Sequence, residues 1–256
     1  MKKIICGFFI ILVGICRADF LLLQDTFDTA NGQDINADLA SRQSGTEATS
    51  TWTDTAANNW TTQIYGAALR LYKSGATGGS VFAELGEDFA TVSMDVRIAV
   101  DVQNMYPGDG FSMINIGMAA ADGLSANAGY SFRLDARTGT SFLKFYDSGV
   151  QKGSMDVDVL ADGGLESLVI DFSGGNALSA TFNGTAFYFG SGQTSYTGTS
   201  ELENHIMLGW YGDGAPSLTS AQFDNLSVTS IPEPATLGLV LSASLGLLFI
   251  RRMKTR

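Results

Sequence analysis

Between residues 91 and 102 the side chains alternate without a break. Val92, Met94, Val96, Ile98, Val100 and Val102 interleave with Thr91, Ser93, Asp95, Arg97, Ala99 and Asp101, a period of two that sends each set to its own face of an extended strand. One face is expected in a core and the other in water. Residues 178–182, then Asn183-Gly184, then 185–189 predict a hairpin, because Asn-Gly supplies the two positive-φ residues of a type I′ turn. Similar patterning predicts strands over 67–72, 80–85, 111–119, 130–135, 142–147, 155–160, 168–172, 205–211 and 222–229, with glycine-rich turns between most of them. Only residues 36–42 have a short helical look. About a dozen strands without an amphipathic helix argue for two packed antiparallel sheets. The stretches 45–63 and 190–204 are expected to be long crossing loops of a jelly roll.

The two ends of the chain follow another pattern. Lys2 and Lys3 precede an apolar run from Ile4 to Ile15, and Cys16-Arg17-Ala18 places small residues where a signal peptidase reads, so residues 1–18 are expected to be a removed signal peptide. Lipidation at Cys16 is the alternative, and the bulky Ile15 before it argues against that. At the other end, Ile231-Pro232-Glu233-Pro234 precedes an uncharged run over 235–250 and then Arg251-Arg252-Met253-Lys254-Thr255-Arg256. That run makes about 24 Å of helix, enough to cross a hydrocarbon core of about 30 Å with some thinning while the basic side chains snorkel to the headgroups. The basic end is expected in the cytoplasm, with everything before Pro232 outside. Pro232 and Pro234 lack amide hydrogens and hold an extended segment ahead of the helix. By residues alone this is either a membrane anchor or a tail removed by a protease.

Between the ends lie residues 19–230, a length suited to one sizeable core. Without the terminal segments, 8 basic residues face 25 acidic ones, a net charge of −17. Nucleic acid is excluded as a partner, while solubility and an affinity for divalent cations or a cation-rich matrix both fit. Both cysteines, Cys6 and Cys16, fall in the signal segment, so the exported protein has neither disulfide nor thiolate metal site.

The order of Pro-Glu-Pro motif, apolar helix and basic end resembles a PEP-CTERM sorting signal. The resemblance implies an exosortase-type membrane protease as partner and Pro232, Glu233 and Pro234 as the sorting motif. It further implies an inner-membrane intermediate on the way to the cell surface or extracellular matrix of a Gram-negative bacterium. The segment 19–230 is similar to concanavalin-like and laminin-G-like sandwiches through Leu23-Gln24-Asp25-Thr26-Phe27-Asp28, Gly108-Asp109-Gly110-Phe111-Ser112-Met113-Ile114 and Phe223-Asp224-Asn225-Leu226-Ser227-Val228. This implies an all-β jelly-roll ectodomain and places Asp109 at a sugar, as in L-type lectins. An ordinary turn is the alternative for Gly108-Asp109-Gly110 and for its echo, Gly212-Asp213-Gly214.

Flat aromatic rings stack on the apolar faces of sugars while neighbouring amides and carboxylates bond the hydroxyls. Trp52, Trp60 and Tyr65, beside a Thr/Asn/Asp-rich loop, and Trp210-Tyr211 are the candidate platform residues, with a place in the core as their alternative. Asp25 and Asp28 in the opening strand and Asp224 and Asn225 in the closing one are candidate ligands of a structural calcium, or else polar residues on a wet face. Catalysis finds little footing: His205 is the sole histidine, and the Glu-x-Asp-x-x-Glu spacing of jelly-roll glycosidases is absent from the sequence. The reading is a non-enzymatic exported domain that binds a glycan or exopolysaccharide. A purely structural envelope or biofilm protein is the alternative, and a glycosidase or lyase stands behind both.

Overall fold

The computed structural model describes residues 20–54, 60–73, 79–85, 95–104, 110–116, 129–137, 140–157, 165–173, 177–198, 206–212 and 220–231. By contacts the chain divides into Leu21–Ser230 and a second unit made of Met1–Phe20 with Ile231–Arg256. Of the second unit only Phe20 and Ile231 are described, so the signal peptide, the sorting motif at Pro232, Glu233 and Pro234 and the apolar run 235–250 lie outside the described residues. Among those described, no helix is long and apolar enough to cross a membrane.

The strands of Leu21–Ser230, in chain order, begin with β1 (Phe20–Asp25), β2 (Gln43–Ser44), β3 (Trp52–Asp54), β4 (Trp60–Ile64), β5 (Leu69–Lys73) and β6 (Gly79–Leu85). They continue with β7 (Val96–Asn104), β8 (Gly110–Ile116), β9 (Tyr130–Arg137), β10 (Thr140–Asp147), β11 (Val150–Val157) and β12 (Glu166–Ser173). The last are β13 (Ala177–Phe182), β14 (Thr185–Ala186), β15 (Tyr196–Thr197), β16 (Ile206–Gly212) and β17 (Ser220–Ser230). Ten strands form one sheet in the order β14-β13-β12-β7-β17-β1-β2, with β15 on β13 and with β5 between β17 and β4. Seven form the other in the order β11-β10-β9-β8-β16-β6-β3. The described pairings are all antiparallel.

The core lies between the sheets. Val96, Ile98, Val100 and Val102 of β7 are buried, as the alternation predicts, and meet Phe132, Leu134, Leu143 and Phe145 of the seven-stranded sheet in one hydrophobic cluster. Val92 and Met94 lie outside the described residues. The Asn183-Gly184 turn forms with φ of 48° and 74° and joins Phe182 to Thr185, but β14 stops at Ala186 rather than 189. Phe187 and Phe189 turn into the core instead, where their rings pack against Phe132 and Phe145.

Two expected loops are corrected. Residues 45–63 contain β3, which joins the seven-stranded sheet, and most of β4, which joins the ten-stranded one. Within 190–204 the chain forms a short turn at Gly190–Gly192 and then β15. The helical look of 36–42 shrinks to α1 (Leu39–Arg42), entered through Asp38 at φ 54°.

Candidate functional site

Directly paired residues in adjacent antiparallel strands share a face, so register gives the rows that cross the seven-stranded sheet. One row runs Ser80, Tyr211, Phe111, Asp135, Phe142, Asp156 across β6, β16, β8, β9, β10 and β11. The next runs Phe82, Gly209, Met113, Arg133, Lys144, Ser154. The third contains Met207, Asn115, Ser131 and Tyr146. Between these positions on β9 and β10, Phe132, Leu134, Leu143 and Phe145 go to the core.

Polar groups on this outer face are unusually well buried. Asp135 is 4% exposed and Ser131 1%, and Met207 is fully buried although it stands apart from the core cluster. They are covered although they stand on the face turned away from the core. Lys144 Nζ lies 2.8 Å from Asp135 Oδ2 and 5.3 Å from the Phe142 ring centroid. The Arg133 guanidinium stacks 3.9 Å over the Tyr146 ring, and its Nε donates to Ser131 Oγ at 3.3 Å. Burial pulls the Arg133 pKa down, against Tyr146, which raises it. Charge, amphipathic ring and hydroxyl therefore alternate along adjacent rows, a set that can hydrogen-bond hydroxyls and lay a flat ring along an apolar face.

At one end of this sheet Gly212 pairs with both Gly110 and Gly79. Three adjacent strands thus begin or end on glycine, where no side chain obstructs close approach. Asp109 and Asp213, the residues just beyond, lie outside the described residues. Tyr211 and Phe111 occupy the row of Asp135.

Other candidates fare differently. Trp52 and Trp210 are core residues, 3% and 2% exposed, and are corrected as platform residues because their rings are enclosed between the sheets. Trp60 opens β4, paired with Lys73. Tyr65 is 44% exposed at the β4–β5 turn. Asp25 has no exposed surface: its carboxylate faces Arg42 Nε at 3.1 Å and accepts hydrogen bonds from Gln43 Nε2, Trp52 Nε1 and the Phe27 N–H. Four donors exhaust it, so Asp25 is corrected as a calcium ligand. Burial pulls the Arg42 pKa down, while Asp25 beside it pushes it back up.

The opening and closing strands do lie side by side. Asp224 pairs in register with Asp101 at a bulge where Asn225 adopts φ 50° and donates to Asp101 Oδ2 at 2.9 Å. Burial first, then the charges of Asp101, Asp28 and Asp25, push the Asp224 pKa up to about 6 against the pull of the Asn225 N–H. Among the described residues no three His, Cys, Asp or Glu side chains are arranged to hold a metal ion. With Asp25 taken up by the fold, Asp28, Asp224 and Asn225 are the expected calcium donors that remain.

Sequence comparison finds no protein-family model that matches this chain and no matching curated protein. Comparison of folds finds many. The carbohydrate-recognition domain of Emp47p superposes with a TM-score of 0.53 at 11% identity, over 82% of this chain and 94% of that one. The fold is an antiparallel β-sandwich similar to that domain's. The exoplasmic/lumenal domain of VIP36, in its Ca2+/Man3GlcNAc-bound form, gives 0.51 at 12% identity over 70% and 85%. A β-1,3-glucanase from Mycobacterium marinum gives 0.52 at 9% over 81% and 98%. The same sandwich thus serves recognition domains and an enzyme.

Proposed function

We propose that this chain is an exported glycan-binding protein and that the outer face of its seven-stranded sheet forms a recess around Asp135, Lys144, Arg133 and Tyr146 that holds a polysaccharide. The observation that carries the reading is the burial of paired and stacked charges on a sheet face turned away from the core. Orienting such groups costs desolvation and side-chain entropy that the core does not require. A sugar that accepts from Lys144 and Arg133 and lies against an amphipathic ring uses them. The likeness of the fold to carbohydrate-recognition domains supports this reading.

Binding is favoured over catalysis. A glycosidase needs two carboxylates flanking the scissile bond, and Asp135, central on this face, is occupied by Lys144. Calcium belongs to the proposal as a structural ion held outside the Asp25 network: a melting temperature raised by calcium and restored by a chelator is expected, and indifference to both removes it. Delivery is read from the two termini: export through residues 1–18 and processing at Pro232-Glu233-Pro234 by an exosortase-type protease. The test is a glycan array on the full chain, followed by titration of any hit with Tyr146→Ala and Arg133→Gln. Binding weakened at least ten-fold at an unchanged melting temperature is expected. An array without hits, or variants that bind as well as the parent, would leave the structural envelope role.

A further inference from the structure

The ten-stranded sheet carries a second set of binding groups on its own outer face. In β5, Leu69 and Leu71 are fully buried, while Arg70 and Tyr72 between and beyond them are only partly so. Register aligns Arg70 with Gln63 of β4 and with Gln222 of β17, and Gln222 in turn with Gln103 of β7. A guanidinium thus stands between the amides of Gln63 and Gln222 in one row. The rings of Tyr65 and Tyr72 lie on it, their centroids 5.3 Å and 4.9 Å from Arg70 Cζ.

Three of the other arginines have partners within the fold. Arg42 is paired with Asp25, Arg97 with Asp171, and Arg133 is bonded to Ser131 over Tyr146. Among the described residues, no carboxylate pairs with Arg70, and its Nε is buried without a hydrogen-bond partner. In a domain of net charge −17 with acids far outnumbering bases, a partly desolvated cation without a counter-ion keeps its full capacity for an external anion. A planar guanidinium takes a carboxylate through two parallel N–H donors. Tyrosine rings beside it offer apolar faces to a pyranose, and glutamine amides can serve the hydroxyls on either side. Asp224 and Asp101 fill the next row along β17 and β7, so an anion is directed toward the β4–β5 end, where Tyr65 is exposed.

We infer that Arg70, flanked by Tyr65 and Tyr72 in the Gln63–Gln222 row, is a second glycan site, selective for a carboxylate-bearing sugar such as a uronic acid. The outer faces of two packed sheets point in opposite directions. The domain can therefore hold one polysaccharide strand on each side and cross-link a matrix. The site is independent of the recess around Arg133 and Tyr146.

The test titrates the full chain, in mild detergent, with tri-galacturonate and with the same trisaccharide as its neutral methyl ester. Saturable binding of the acid is expected, at least ten-fold weaker for the ester and at least ten-fold weaker for Arg70→Gln. Tyr65→Ala should weaken it several-fold, and Arg70→Lys, which keeps the charge without the fork, should fall between parent and Arg70→Gln. Val150→Ala, an exposed position on the other sheet, should bind as the parent does whether or not the first site holds a glycan. Melting temperatures separate loss of the site from loss of the fold. Failure of the acid to bind, equal binding of acid and ester, or parental affinity in Arg70→Gln overturns the inference. A loss confined to Tyr146→Ala also overturns it and returns acid binding to the recess.

Discussion

At the residue scale, Asp25 ends β1 with no exposed surface and four donors around it. Removing one member of a buried ion pair leaves the other charge stranded, a loss of about 3–5 kcal/mol. Asp25→Ala is expected to destabilise by that amount in chemical denaturation. Asp25→Ala combined with Arg42→Met should recover part of the loss, because it removes the stranded cation. Asp224 behaves in the opposite sense. Its pKa rises from 3.8 to about 6 on folding, so across that range the folded protein keeps a proton the unfolded chain has released. Stability from this group therefore falls as pH rises from about 4 to about 6. Asp224→Asn should stabilise by about 1 kcal/mol at pH 7.5, after allowance for solvent screening, and by nothing at pH 3.5. Equal effects at both values would sink the assignment.

At the element scale, the segment Phe187–Thr197 straps one side of the sandwich. It bridges β11 through Phe189 and Gly153 and then adds β15 to β13. Phe189 and Tyr196 pack with Phe145, Phe187 packs with Phe189, and the Tyr196 hydroxyl donates to buried Asp147 at 2.8 Å. Burial, with Asp147 second, raises the Tyr196 pKa; the same causes push Tyr130 up to about 12. Tyr196→Phe should cost about 1–2 kcal/mol, since it strips a donor from a buried carboxylate. Gly153 is a tight point, where an added Cβ would stand 2.7 Å from the Phe187 ring and 3.0 Å from the Tyr188 carbonyl. Gly153→Ala is expected to release the strap and raise amide exchange in residues 187–197 while leaving β7 and β17 protected.

At the scale of the whole molecule, the sandwich and the termini make separate claims. Leu21–Ser230 is one compact unit with a shared core. The Pro232-Glu233-Pro234 motif follows its last strand almost at once. Processing there would release a domain that keeps every described strand. Mass spectrometry of the surface or secreted protein is expected to find no peptides from 237–251. Their recovery would make the tail a permanent anchor.

Strand identity was legible in the sequence wherever one face is wet, because burying one side of an extended chain imposes a period of two, as at Val96 to Val102. The Asn183-Gly184 turn was legible because few residue pairs tolerate positive φ twice. The period failed where it breaks. At Asp224–Ser227 one extra residue shifts the register, so the buried set passes from Ala221 and Phe223 to Leu226 and Val228. Phe187 and Phe189 leave their hairpin for the core. Trp52 and Trp210 read equally well as platform or core, since a single aromatic carries no directional signal. Asp25 was visible as an acid at a strand end, but Arg42, Gln43 and Trp52 reach it only through folding. The rows of Asp135 and of Arg70 join strands far apart in the chain. Local spacing determines which face a residue takes within its strand, whereas inter-sheet packing decides which strands pair and therefore which charges, rings and amides become neighbours.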